Sequence, residues 1–181
     1  MPADTPPASP ALTIRLFDKA LHDRGAFSCG YKPIDNFLRS SLSDNVRDGM
    51  VAAYMATAEP DTAVLGFYTL SAMAVRADLG PARWQAARTT EIPAIYIKAV
   101  AVREDRQGKG LGTALLIDAM RRCVDISRRI GAAAVVLDVL RDDDFDRRFS
   151  FYEKLGFRRL GDPDSPDRVC ISIKDVAASL G

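Results

Sequence analysis

The sequence has three cysteines, one histidine and one tryptophan among 181 residues. Cys29, Cys123 and Cys170 stand too far apart for a disulfide framework or a zinc knuckle, so buried packing in a reduced compartment is expected of them. His22 lies near the N-terminus, away from every motif, and reads as a surface residue. No metal site is expected. No apolar run reaches the length of a membrane span, and no basic-then-apolar segment opens the chain. A cytoplasmic protein with no membrane partner follows as the expectation. Charge of one sign is also missing, with 25 Lys and Arg against 24 Asp and Glu, a net +1. A dedicated nucleic-acid binder usually carries a strong basic excess. Two local clusters remain: Arg121, Arg122, Arg128 and Arg129, then Arg147, Arg148, Lys154, Arg158 and Arg159. They read as solvated helix faces, with a one-sided polyanion site as the alternative.

What is present is an ordinary globular composition, 48% hydrophobic and 27% charged, at a length that suits one domain. Residues 1–11, MPADTPPASPA, are Pro-rich and without periodicity, and read as a mobile leader before a domain spanning 12–181. LTIRLF predicts a first strand. KPIDNFLRSSLSDNV spaces Ile34, Phe37, Leu38, Leu42 and Val46 as one face of a helix ending before Gly49. MVAAYMATA and AVLGFYTLSAMAV flank the turn EPDT and read as a hairpin. Residues 76–93 show little pattern. AIYIKAVAV predicts a strand buried on both faces. Leu111, Leu115, Ala119, Cys123, Ile126 and Ile130 then form an apolar helical stripe stopped by Gly131. AAAVVLDVL is a further buried strand, so strand, helix and strand make a parallel crossover unit. FSFYEKLGF begins another helix, capped by Gly156, and RVCISI closes with a last strand. The pattern predicts a single α/β (α+β) domain with a mixed sheet.

Three glycines at alternate positions in QGKGLGTALL sit where a strand gives way to a helix. A Walker loop needs two glycines five apart followed by Lys and Ser or Thr, and this spacing fails it. A dinucleotide fingerprint needs a third glycine or alanine three residues after the second, where this chain has Thr113 or Leu115. A simpler reading fits: bare backbone amides at a helix N-terminus facing an anionic group. Side chains at Gly108, Gly110 and Gly112 would obstruct a phosphate, and glycine removes them.

In that setting Gln107-Gly108-Lys109-Gly110-Leu111-Gly112 resembles the Q/R-x-x-G-x-G/A signature of the GNAT superfamily of N-acetyltransferases. The later FYEKLGF resembles a second element of the same superfamily. FSCGYKPIDNFL, GFYTLSAMAV and IPAIYIKAVAV extend the similarity to the acetyltransferase toxins of bacterial toxin–antitoxin pairs. The resemblance implies a GNAT-like domain, with a mixed central sheet flanked by helices, and acetyl-CoA as cosubstrate. Gln107, Gly108, Lys109, Gly110, Leu111, Gly112 and Thr113 would hold its pyrophosphate, and Val100, Ala101 and Val102 would lend strand backbone to the pantetheine arm. Tyr152 would give a proton to the leaving thiolate. The toxins acetylate the free amine of aminoacyl-tRNA and are silenced by a ribbon-helix-helix antitoxin, so these partners, and a homodimer, are implied here by analogy.

No general base stands out among Glu91, Glu104 and Asp138. An α-amine, with a pKa of about 7.7–8.0, needs less help than a lysine near 10.4. RDDDFDRR mimics part of a calcium loop, but Arg147 replaces the required glycine, and an acidic helix start is the ordinary explanation. The connection LRDDDFDRRFS between Asp138 and Tyr152 is longer than is usual in the toxins, and its aspartates would repel a nearby phosphate. Ala99 stands where those toxins often carry Arg. Two other functions stay open: a GNAT acting on a small or protein amine, and a catalytically idle CoA-binding module.

Overall fold

Extended, β-branched and aromatic residues alternate from Glu91 to Val102, and in the computed structural model they form the longest strand of the sheet. The structure describes residues 11–181, so residues 1–10 of the expected leader lie outside the described residues. The strands are β1 (Leu12–Leu16), β2 (Ala52–Ala58), β3 (Gly66–Arg76), β4 (Glu91–Val102), β5 (Ala134–Asp138), β6 (Arg158–Arg159) and β7 (Arg168–Ser172). The helices are α1 (Lys32–Asn36), α2 (Leu42–Arg47), α3 (Ala82–Gln85), α4 (Leu111–Ile130), α5 (Phe145–Lys154) and α6 (Ile173–Leu180). A π-helical turn, Phe37–Ser41, joins α1 to α2, so the single helix expected there is interrupted.

The strands form one mixed sheet in the order β1-β2-β3-β4-β5-β7-β6. β4 and β5 run parallel, in register from Ala94↔Ala134 to Ile97↔Leu137, with α4 as the crossover that parallel strands require. β7 lies antiparallel to β5, β6 antiparallel to β7, and β1 antiparallel to β2. This is the mixed α/β architecture that the strand–helix–strand pattern predicts.

The chain divides into two compact units, the first ending at Phe67 and taking in Ala101–Leu115, the second comprising Tyr68–Val100 and Leu116–Gly181. The first buries Phe27, Leu38, Leu42, Met55 and Phe67, with Phe27 meeting Phe67 edge-on at 5.5 Å between centroids. In the second, Val75, Trp84, Ile92, Ala94, Val136 and Leu160 share one core. Trp84 belongs to α3, so the stretch 76–93 carries an ordered turn and helix that its sequence pattern did not show.

Three other elements depart from expectation. Along α4, Leu111, Leu115, Ala119 and Cys123 are buried, but Ile130 is 64% exposed and Ser127 is buried instead. An i, i+4 ridge advances around the helix by about 40° at each step, and burial follows it from Cys123 to Ser127. The Ser127 hydroxyl donates to the Val124 carbonyl, which satisfies it inside the fold. α5 starts at Phe145 rather than Phe149, because the Asp142 carboxylate accepts the Asp144 amide at 3.0 Å and nucleates the turn. β7 is followed by α6, which the sequence reading lacks. Ser172 caps it, accepting the Asp175 amide at 3.1 Å while its hydroxyl donates to the Asp175 carboxylate at 2.6 Å.

Gly66 is demanded by packing. A Cβ there would lie 2.8 Å from Leu115 Cδ1 and 3.1 Å from the Ala101 carbonyl. Gly66→Ala is therefore expected to destabilise the protein by about 1–3 kcal/mol, read from urea unfolding midpoints.

Candidate active site

The ladder between β4 and β5 ends at Ile97–Leu137, yet β4 continues through Lys98 to Val102. Val100, Ala101 and Val102 thus lie beyond the reach of β5, with Ala101 buried and its two neighbours half-buried. A 3₁₀ turn, Glu104–Arg106, follows, and Gln107 returns to extended backbone. Gly108 and Gly110 then take φ of +71° and +85°, the left-handed region open to glycine at little cost. A Cβ at either would meet nothing within 4 Å. Gly112 differs. It is helical, and a Cβ there would touch only Val102 Cγ2, at an ordinary 3.7 Å. The backbone bond from Ala114 to Gly110, 3.0 Å, lies at the start of α4. The amides of Leu111, Gly112 and Thr113 precede it, at the positive end of the helix.

Gln107 sets the shape of this turn. Its side-chain amide donates to the carbonyls of Cys29 and Val102, both at 2.9 Å, and its backbone N–H donates to Glu104. All of its N–H groups are therefore directed at protein carbonyls. It is a clamp, and the donors that face outward belong to later residues. Lys109 Nζ bonds the Asp105 carbonyl at 2.8 Å, and Arg103 forks onto the Asp105 carboxylate at 2.6 and 2.8 Å. The Arg103 guanidinium holds that carboxyl below its ordinary pKa. The Cys29–Gly30 segment lies against the same turn, an association that no local sequence signal announced. Burial, helped by the neighbouring Asp35 carboxylate, pushes the Cys29 thiol up to about 11. Burial likewise takes Cys123 to about 12 and Cys170 to about 11.

In the second unit, Tyr152 lies in the last turn of α5, half-buried, with its ring edge-on to Phe151 and Phe157 at 5.4 and 5.8 Å. Its hydroxyl has no hydrogen-bond partner among the described residues. Burial raises its pKa above the ordinary phenol value, although the Arg148 charge works against that shift. Gly156, at φ +94°, ends this helix as expected.

The candidate carboxylate bases are largely engaged. Asp138 accepts both Arg168 nitrogens, at 2.7 and 2.9 Å, and the Tyr96 hydroxyl at 2.9 Å. Glu104 lies 2.9 Å from the Ser28 hydroxyl, and Glu91 is exposed. His22 is buried rather than on the surface: only 5% exposed, it accepts the Asp18 amide at 3.0 Å and stacks on Phe17. Among the described residues, no group of three His, Cys, Asp or Glu side chains could hold a metal ion. No helix among them is long and apolar enough to cross a membrane.

The family model for the acetyltransferase (GNAT) domain matches residues 54–159, which include the glycine turn and Tyr152. The chain is a GNAT acetyltransferase. It is 33% identical over 174 residues to a probable toxin TacT of Sinorhizobium fredii, covering 93% of this chain and 94% of the relative. A tRNA-acetylating toxin of Mycobacterium tuberculosis is 31% identical over 160 residues, 88% of this chain and 91% of that one. The structure of AtaT complexed with acetyl-methionyl-tRNAfMet superposes with a TM-score of 0.84 at 24% identity, covering 94% of this chain and all of AtaT. In this acetyltransferase the glycine turn presents amides and the positive end of a helix to solvent, a setting suited to an anion. Elsewhere on the chain, Tyr152 carries a phenol with no acceptor among the described residues.

The glycines of the acetyltransferase are expected to separate by substitution. Gly110→Ala forces a left-handed alanine and should cost about 1–2 kcal/mol of stability. Gly112→Ala has room and a helical backbone, so it should be neutral or stabilising by up to about 1 kcal/mol. Urea denaturation of the two variants checks both values.

Proposed function

We propose that the protein transfers the acetyl group of acetyl-CoA to the α-amine of an aminoacyl-tRNA, and so blocks translation. The observation that carries this reading is the turn itself: Gly108 and Gly110 open the mouth of α4, and Gln107 fixes it without using the amides beyond it. Gly108 to Thr113, Lys109 included, receive the pyrophosphate there, while Gln107 shapes the loop. Val100, Ala101 and Val102 offer strand backbone to the pantetheine arm, and one of their N–H groups polarises the thioester carbonyl. Such a donor, aimed at developing oxyanion charge, is often the largest catalytic contribution.

The amine attacks the thioester carbon, the carbonyl oxygen gathers charge, and the C–S bond breaks as the amide forms. Tyr152 gives the departing thiolate its proton. A phenol, with an ordinary pKa of about 10, is protonated at neutral pH and so holds its proton until the thiolate departs; burial raises Tyr152 further. The engagement of Asp138 and Glu104 supports an acceptor that needs little help to deprotonate, which an α-amine satisfies. The likeness to a tRNA-acetylating toxin, and to AtaT with its acetylated methionyl-tRNA, supports the same acceptor. On that reading the chain works in the cytoplasm as a homodimer and is silenced by a ribbon-helix-helix antitoxin.

Purified protein is expected to move labelled acetyl groups onto charged tRNA and to leave deacylated tRNA and free lysine unmodified. Label found only on small or protein amines would replace the tRNA acceptor with the broader GNAT activity. CoA binding without turnover on any amine would make the chain an idle binding module. Tyr152→Phe should lower kcat about 10²–10⁴-fold while CoA affinity stays unchanged. The pH profile should rise near 7.7–8.0 with the α-amine and, since the phenol is raised, show no falling limb from Tyr152 below pH about 10. Gly112→Ala, stable as it should be, is expected to weaken CoA binding by crowding the phosphate, as calorimetry would read.

A further inference from the structure

Asp35 is a charged residue that the reaction does not use, and it is only 4% exposed. A buried carboxylate is costly unless its oxygens are bonded. Here Oδ1 accepts the Cys29 amide at 2.8 Å, and Oδ2 lies 3.2 Å from the Ser28 hydroxyl. Both partners belong to the segment that leans on the glycine turn. The Ser28 carbonyl accepts the Glu104 amide at 2.9 Å, and the Ser28 hydroxyl lies 2.9 Å from Glu104 Oε2. The Cys29 carbonyl accepts Gln107 at 2.9 Å. One residue, Cys29, thus donates its N–H to Asp35 and accepts Gln107 at its C=O, its two flanking peptide groups held from opposite sides. Directly after it the chain turns through Gly30 at φ +85°, where a Cβ would lie 3.3 Å from Glu104 Oε1.

We propose that Asp35 is a positioning residue for the cofactor turn, acting through the backbone of Cys29 on Gln107. The carboxylate orients the Ser28–Cys29 link, the link presents two carbonyls to residues 104 and 107, and those bonds fix the backbone ahead of Gly108 and Gly110. Asp35 itself is buried, and both of its oxygens are taken up by this link. This rests on the acetyl-CoA reading for its effect on binding, but the mechanical coupling stands apart from it.

The test compares Asp35→Asn, Gln107→Ala and the double variant in the full chain. Asparagine keeps the volume and an acceptor for Cys29 N–H but loses the charge. Each single change should raise the Kd for CoA and the KM for acetyl-CoA about tenfold, with kcat within about twofold. The double variant should bind no worse than Gln107→Ala alone, since both act on one linkage. Hydrogen exchange at residues 108–113, without any ligand, should speed up in Asp35→Asn. Additive losses in the double variant, or unchanged exchange and Kd in Asp35→Asn, would overturn the proposal. If Asp35→Asn fails to fold, Ser28→Ala, which removes the hydroxyl lying between Asp35 and Glu104 and keeps the backbone bond to Glu104, must produce the same exchange signature. A wild-type protein that binds no CoA would instead defeat the acetyl-CoA reading and leave the exchange result to decide the coupling.

Discussion

The two hydrogens of the Gln107 carboxamide join three pieces of backbone at one point: the end of β4, the Cys29 peptide and the turn that opens α4. A turn containing two left-handed glycines has little conformational preference of its own. Its shape has to be imposed from outside, and a bidentate amide does so without placing a charge at the mouth of the helix. The Asp105–Arg103 pair and the Lys109 bond to Asp105 brace the other side. Flexible residues therefore sit between fixed supports, which reconciles glycine with a turn of defined shape.

The acidic stretch before Tyr152 has a related electrostatic logic. Read as free aspartates, residues 142–146 oppose any phosphate. In the fold, Asp142 is held by Arg148 at 2.8 Å, and Asp144 by Arg147 at 3.0 Å. The Arg148 side chain holds the Asp142 carboxyl below its ordinary pKa. These pairs are surface-exposed and add little stability, but they leave the segment near charge balance. The acids also open α5 one turn earlier than its aromatic spacing suggests, because carboxylates and backbone amides pair locally at a helix start.

Patterns held within a few residues were legible in the sequence. The alternation of β4, the α4 stripe as far as Cys123, the Gly131 and Gly156 stops and the parallel crossover all follow from local spacing. Of the candidate site, the turn itself was legible: the glycines at 108 and 110 stand where the backbone is left-handed. What stayed hidden depends on distance in the chain. Asp35 and Gln107 are tied through Cys29 by bonds that no periodicity encodes. Trp84 is buried in a core it shares with residues of β3, β4, β5 and β7, among others, and His22 by a turn closing through Asp18. Ser172-Ile173-Lys174-Asp175 was the exception, since Ser-x-x-Asp is a capping signal and announces α6 directly after the last strand.

The three cysteines lead to a last consequence. With thiols raised to about 11 and 12, almost none of the protein's sulfur is thiolate at neutral pH, and alkylating or oxidising agents act on the thiolate. On the proposed reaction, acetyl transfer from CoA releases a free thiol at each turnover. Beside such a product the protein keeps Cys123 and Cys170 buried and Cys29 half-buried, so its own sulfur is largely withdrawn from exchange.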